Sequence, residues 1–403
     1  MRRRLLLRLF AAGLERVEGR RCTREALLAS RPAPEGPARV WVAAVGKAAS
    51  SMALGAKDAL GDRLERLLLI TKDGHVSPEA RALPAAEIHE ARHPVPDERS
   101  VAAGLRLLDW VDALPPDVEP LFLISGGASS LVEVPEEGLT LEDVERRTAE
   151  GLASGISIGE LNARRARFSR IKGGKLTARL GGRRARALFI SDVPGDDPAV
   201  IGSGLLGPAC QGTDAVQRRV IASIDDAVAA VCEAARALGL EAQSAPQRFD
   251  GDAEQLGVRF AHELHMSLVP VRVWGGESVV RLPADPGRGG RNQHLALTAA
   301  RLIAGYPDLA LLAAGTDGTD GPTEDAGAIV DGETCARITL AELDPDDCLR
   351  RADSGTALAA AGDLVHTGPT GTNVGDLVIG LKLSEDAAAT LLAARDELEA
   401  RVL

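Results

Sequence analysis

The sequence is poor in aromatic residues, with three tryptophans, one tyrosine and six phenylalanines among 403 positions. Its cores must then be filled by Leu, Val, Ile and Ala, which a hydrophobic content of 45% permits. Recognition of single-stranded nucleic acid by stacked rings would have few platforms. A basic excess is missing as well. The formal net charge is −11, whereas binding a phosphate backbone calls for a positive surface, so no nucleic-acid partner is expected. The five cysteines, Cys22, Cys210, Cys232, Cys335 and Cys348, lie far apart with no C-x-x-C spacing. That argues against a zinc cluster or a disulfide framework and suits a reducing cytoplasm.

Long apolar runs are also lacking, and none reaches the ~18 residues that a membrane span needs. The opening MRRRLLLRLFAAGLERVEGR has the basic-then-leucine order of a signal peptide, but Arg8 and Glu15 interrupt it. Leu5, Leu6, Leu9 and Leu14 instead predict one face of an amphipathic domain helix. No G-x-G-x-x-G follows a strand with an acidic residue ~20 positions on, so the dinucleotide fingerprint is missing. Lysine is scarce, with six against 41 arginines, which draws attention to where each one stands.

What is present is an alternation. RVWVAAV, LERLLLIT, PLFLIS and RALFISDV read as buried strands, each followed by glycines and then by helix formers. This predicts an α/β protein whose first domain is a Rossmann-like, mainly parallel sheet flanked by helices. The turn-rich GLEAQSAPQRFDG, Gly239 to Gly251, suggests a boundary near residue 245, giving domains 1–245 and 246–403. The second domain reads as smaller and mixed α/β. Within it LVPVRVWGGESVVRL looks like two strands joined at Gly275-Gly276. The closing helix, about 386–403, is compatible with packing on either domain.

Five turns after apolar runs carry chemistry. In WVAAVGKAASSMALGA, Gly46 and Lys47 fall between a strand and a helix, where anion sites occur in open α/β sheets. In ISGGASSL, Gly126 and Gly127 would let a ligand approach the backbone, while Ser125, Ser129 and Ser130 offer donors to phosphate oxygens. SRIKGGKLTARL places Lys172 and Lys175 around two glycines, without the Walker spacing. In FISDVPGDDPAVIGSG, Asp192 follows a strand, where a carboxylate can hold Mg²⁺ or accept a proton; Asp196 and Asp197 read as turn formers. In the second domain, Arg288 and Arg291 of GRGGRNQHLALTAA suit bidentate binding of a carboxylate or phosphate, with Asn292 beside them. Asp317 and Asp320 of AAGTDGTDGPTEDAGA recur with glycines as in divalent-metal loops, though EF-hand spacing is missing. His93, before the proline-braced loop HPVPDE, is the better histidine for a polar contact, while His262 and His265 read as ordinary helix residues.

Taken in order, AVGKAASSMA, HPVPDE, LISGGASSL, IKGGKL, ISDVPGDDPAVIGSG, GRGGRNQ, AAGTDGTDGPTEDAGA and TGPTGTNVGDL resemble the glycerate 2-kinases whose C-terminal part is the MOFRL domain. The resemblance spans roughly Leu5 to Leu383. It implies ATP-dependent phosphorylation of D-glycerate to 2-phosphoglycerate with Mg²⁺, in a cleft between two α/β domains. It matches a catalytic lysine to Lys47 and a second-domain arginine to Arg291, and with Asp192 these form the expected catalytic set. Gly46, His93, Ser125, Gly126, Gly127, Ser129, Ser130, Lys172, Arg288 and Asn292 are the expected substrate- and phosphate-binding residues, and Asp192, Asp317 and Asp320 the expected metal ligands. His294 departs from the pattern, standing where an acidic residue is expected. Members of the family are also labelled hydroxypyruvate reductases, so an NAD(P)H-dependent reductase and a non-catalytic anion or nucleotide binder stay open. Expected partners are small molecules, with no membrane; a homo-oligomer is compatible with the sequence.

Overall fold

The four apolar runs singled out above become neighbouring strands of one parallel sheet. Its strands are β1 (Arg39–Val45), β2 (Leu64–Lys72), β3 (Ala86–Ala91), β4 (Val118–Ile124), β5 (Ala185–Ile190) and β6 (Val216–Ala222), in the order β3-β2-β1-β4-β5-β6. All five pairings are parallel. The computed structural model describes residues 1–30, 39–84, 86–153 and 165–400. The central strands β1 and β4 are buried along nearly their whole length, as a sheet covered on both faces requires. Sheet growth reverses between β1 and β4, and the crevice beyond the carboxyl ends of such a pair is where open α/β sheets bind ligands. Three of the scarce aromatics touch in this sheet's core: Trp110 packs edge to face on Phe122 and tilted on Trp41, among mostly aliphatic side chains.

This sheet belongs to a unit comprising Val17–Ser223 and Gly371–Val374; a second unit comprises Met1–Arg16, Ile224–Thr370 and Gly375–Leu403. The boundary therefore falls after Ser223 and not near 245. The reason lies in the helix Ile224–Ala237, whose Ile224 and Val228 press against Gly275 so closely that a methyl group there would sit 2.6 to 2.7 Å from them. The N-terminal helix Arg2–Arg16 also belongs to the second unit, burying Leu5, Leu6, Leu9, Phe10 and Gly13. Leu14 is only half-buried because the buried stripe runs at i, i+4 spacing through Gly13, which meets Val231 and Leu377. The C-terminal helix Glu385–Ala400 packs against this N-terminal helix and so stays with the same unit.

The second unit holds a mixed sheet of β7 (Ala242–Ser244), β8 (Phe249–Asp252), β9 (Val271–Val279), β10 (Leu309–Gly315), β11 (Gly327–Asp331), β12 (Leu364–Val365) and β13 (Asp376–Lys382). Its order is β12-β11-β10-β13-β9-β7, with β8 also on β9. The expected pair of strands around Gly275-Gly276 is one continuous strand, β9. The glycines do not turn the chain. Gly275 makes room for a helix and Gly276 for the backbone of Phe249, the close-approach role of a strand glycine. Among the described residues, no helix is long and apolar enough to cross a membrane.

Candidate active site

In the parallel-sheet unit, the turns after β1 and β4 are built into each other. Gly46 takes a φ of +131°, its N–H donates to Ile70, and its carbonyl accepts from Thr71 Oγ1 at 2.9 Å. The Lys47 N–H donates to the Gly126 carbonyl at 2.9 Å, and the Ala48 N–H to Ser125 Oγ at 3.0 Å. A side chain at Gly46 would strike Ser125, so this position requires glycine for space as well as conformation. These bonds hold the half-buried Lys47 at the mouth of the β1–β4 switch.

The Gly126-Gly127 turn gathers the remaining polar groups. A Cβ at Gly127, whose φ is +83°, would lie 3.1 Å from Lys47 Cγ and 3.2 to 3.3 Å from the His93 ring. A Cβ at Gly126 would collide with the Asp192 carboxylate and the Asn373 amide. Lys47, His93, Asp192 and Asn373 thus surround one glycine turn at the carboxyl edge of the sheet. Asp192 stands just after β5, and Asn373 is carried by the short segment Gly371–Val374. Asn373 Nδ2 donates to Asp192 Oδ2 at 3.1 Å.

The serines of the turn have structural tasks. Ser125 is fully buried and spends its hydroxyl on Ala48; Ser130 donates to the Gly127 carbonyl at 3.1 Å; Ser129 Oγ bonds Ser203 Oγ at 2.7 Å. Lys172 departs furthest from expectation. It is completely buried and ion-paired with Glu133, itself buried, so it braces the IKGGKL loop from within the core instead of facing a phosphate. Burial pushes its ammonium down to about 8 against the pull of Glu133. Asp197 caps its own turn by accepting from the Ala199 N–H at 2.8 Å, as a turn former should.

In the mixed-sheet unit, GRGGRNQ leads into the helix Arg291–Ile303, with Gly290 as N-cap. Its N–H groups are already taken. Asp320 accepts from Asn292 N at 3.0 Å and Gln293 N at 2.8 Å, which makes it a helix cap and removes it from the expected metal set. Burial pushes Asp320 up to about 7, only partly offset by those two N–H donors. Arg291 makes two bonds to Asp376, at 2.8 and 3.0 Å, and a third to Glu277 at 2.6 Å. Burial opposes its charge, yet Asp376 and Glu277 hold it above the ordinary guanidinium range. Asn292 is buried and donates to Asp376 at 3.0 Å, so it supports the arginine clamp from behind. Arg288 is exposed and paired with Asp325 at 3.0 Å. Asp317 accepts from the N–H and hydroxyl of Thr319, closing its own turn. His294 is buried beside Ser354, and burial pushes its pKa down. Among the described residues, no three His, Cys, Asp or Glu side chains form a metal-ligating group.

Sequence reading missed Asn373, Asp376, Glu277 and Glu133. The first two lie in the quoted TGPTGTNVGDL, where a polar residue in a glycine-rich run just before a strand was the available signal.

A family model described as a domain of unknown function (DUF4147) matches residues 5–235, and the MOFRL family model matches residues 270–376. A D-glycerate 2-kinase of Thermotoga maritima is 38% identical over 381 residues, covering 85% of this chain and 90% of that protein. The chain belongs to the MOFRL glycerate kinase family. A crystal structure of glycerate kinase from Thermotoga maritima superposes with a TM-score of 0.82 at 34% identity, covering 94% of this chain and 99% of the other. A relative from Agrobacterium vitis, 38% identical over 84% of this chain and 98% of its own length, bears the label hydroxypyruvate reductase instead. In this MOFRL chain, the quoted segments that carry Lys47, His93, Gly126-Gly127, Asp192 and Asn373 are the ones that meet at the β1–β4 switch.

Proposed function

We propose that this chain transfers the γ-phosphoryl group of ATP to the 2-hydroxyl of D-glycerate. The observation that supports it best is the convergence of Lys47, His93 and Asp192 on the Gly126-Gly127 turn, in a chain of this family. The glycerate oxygen attacks the γ-phosphorus and gives up its hydroxyl proton while the bond to the β–γ bridging oxygen breaks, yielding 2-phosphoglycerate, ADP and a proton. Such a transfer asks the protein mainly for positioning and charge. Lys47, a compact ammonium on a fixed backbone, supplies charge at the transferring group. Gly126 and Gly127 let phosphate oxygens approach the main chain, and His93 offers a polar contact to the substrate. Arg291, held on two sides by carboxylates, is the arginine of the mixed-sheet unit that the family resemblance matches.

Mg²⁺ fits the donors present, because this ion keeps several waters and takes one or two carboxylates together with substrate phosphates. Asp192 is the residue that would hold it, and the ion would supply neutralisation of phosphate charge. Asp320, spent on two helix N–H groups, does not fit.

The test is a pair of assays that share no cofactor. Purified protein with ATP, Mg²⁺ and D-glycerate should release ADP, and its product should be consumed directly by enolase. With hydroxypyruvate it should leave NADH and NADPH unoxidised. Nicotinamide turnover without ATP consumption would establish the reductase label carried by the Agrobacterium vitis relative, and tight binding with neither turnover would establish a sensor.

A further inference from the structure

We propose that Asn373 is a positioning residue that fixes the Asp192 carboxylate for catalysis. The proposal rests on the reading of Asp192 given above. Asn373 is 6% exposed and donates from Nδ2 to Asp192 Oδ2 at 3.1 Å. The amide orientation is settled by chemistry, since an ionised carboxylate only accepts. On its other side the same carboxylate is packed against Gly126, where an added methyl group would overlap both Asp192 and Asn373. One oxygen held by an amide and one face held by a backbone leave the carboxylate little freedom to rotate.

The segment that delivers Asn373 is itself anchored. Gly371–Val374 belongs to the parallel-sheet unit although the residues on both sides of it do not. The Gly371 carbonyl accepts from the Gly19 N–H at 3.0 Å, and Thr372 Oγ1 donates to the Val17 carbonyl at 2.6 Å. Gly371, at φ +77°, fits beside Ser51 and Glu18, the latter capping the helix Gly19–Ala29. A rigid support of this kind is what a reacting carboxylate needs, because small misplacements of a catalytic group cost rate steeply. An asparagine also suits the position electrically: it donates to the carboxylate without adding a charge that the substrate phosphates would meet.

The experiment is a double-mutant cycle on kcat and KM for ATP-dependent glycerate phosphorylation, with melting temperatures measured in parallel. Asn373→Ala should lower kcat by about ten- to a hundredfold, the usual cost of losing an outer support, with KM for D-glycerate nearly unchanged. In an Asp192→Asn background the same change should cost little further, since the partner it serves is gone. Asn373→Asp, which keeps size and shape, should be worse than alanine opposite Asp192 but mild in the Asp192→Asn background. A factor that is equal in both backgrounds and tracks the melting temperature would mean a purely structural role and overturn the proposal. Full turnover of Asp192→Asn alone would instead overturn the catalytic reading of Asp192, and this inference with it.

Discussion

The two units treat similar sequence signals in opposite ways. In the parallel-sheet unit, a pair of glycines after β4 leaves room for Lys47, His93, Asp192 and Asn373 to crowd round a turn. In the mixed-sheet unit, GRGGRNQ also puts glycines and basic residues before a helix, yet that helix start is closed from within. Asp320 takes its first N–H groups, and Asp376 with Glu277 takes the guanidinium of Arg291. A glycine turn becomes a platform because no Cβ fills it, whereas a helix N-terminus attracts whichever carboxylate is nearest, including one from its own chain. Glycine and arginine spacing alone does not separate the two cases. What separates them is whether an acidic residue in a neighbouring loop can reach the N–H groups.

The sharpest way to break this contrast is to remove Lys47. Lys47→Ala should lower kcat/KM for glycerate phosphorylation by roughly two to three orders of magnitude, about 3 to 4 kcal/mol of transition-state stabilisation. The melting temperature should change little, because a half-buried lysine on a turn buries a modest apolar area. Lys47→Arg should rescue poorly, since a broad planar guanidinium cannot occupy the point of a compact ammonium. Near-normal turnover with a lowered melting temperature would reduce the turn to a helix cap. Next in size is Gly126→Ala. The backbone there is not in the left-handed region, so the cost is crowding alone: about 1 to 3 kcal/mol in stability, with activity falling further as Asp192 is displaced. Wild-type stability and turnover would show that the turn has room to spare.

In the mixed-sheet unit, the corresponding change is Asp320→Ala. It removes the cap from the helix Arg291–Ile303 and leaves two buried N–H groups without a partner. It should cost about 1 to 2 kcal/mol in chemical denaturation. An unchanged midpoint would mean that the helix start reorganises and that the closure inferred here is weak.

How far the sequence revealed this differs from feature to feature. The parallel sheet was legible because RVWVAAV and PLFLIS are buried on both faces, and continuous apolar runs ending in glycine are the mark of such strands. The meeting of Gly46-Lys47 with Gly126-Gly127 follows once β1 and β4 are neighbours, an adjacency across two intervening strands that the apolar runs alone do not reveal. Lys172 was misjudged because a lysine beside two glycines has the same local pattern whether it faces solvent or Glu133, 39 residues away. Asp320 was misjudged for a related reason: a carboxylate in a glycine loop looks like a metal ligand until the helix it caps is in place. The first unit's Asn373 was out of reach because its partner Asp192 lies 181 residues earlier. Sequence spacing reports local geometry well. Long-range pairing of polar groups leaves almost no trace in one chain.

The smallest effect concerns the proton on Asp320 and tests how tightly the second helix start is sealed. Its carboxyl is raised to about 7 in the folded protein, first by burial and then by the neighbouring Asp376, against an ordinary value of ~3.9 for an unfolded chain. Between these two values the folded state binds the proton more tightly than the unfolded state does. The term therefore lowers stability as pH rises from about 4 to about 7, and is constant outside that window. Asp320→Asn carries no titrating group at this site, so the variant should lack that loss. The stability of the native protein relative to Asp320→Asn should fall as pH rises through the window and level off above it. Urea unfolding of both proteins at several values across the window measures this directly. Parallel stability curves would mean that the folded carboxyl titrates as it does in the unfolded chain, and that solvent reaches this helix start as it would any exposed cap.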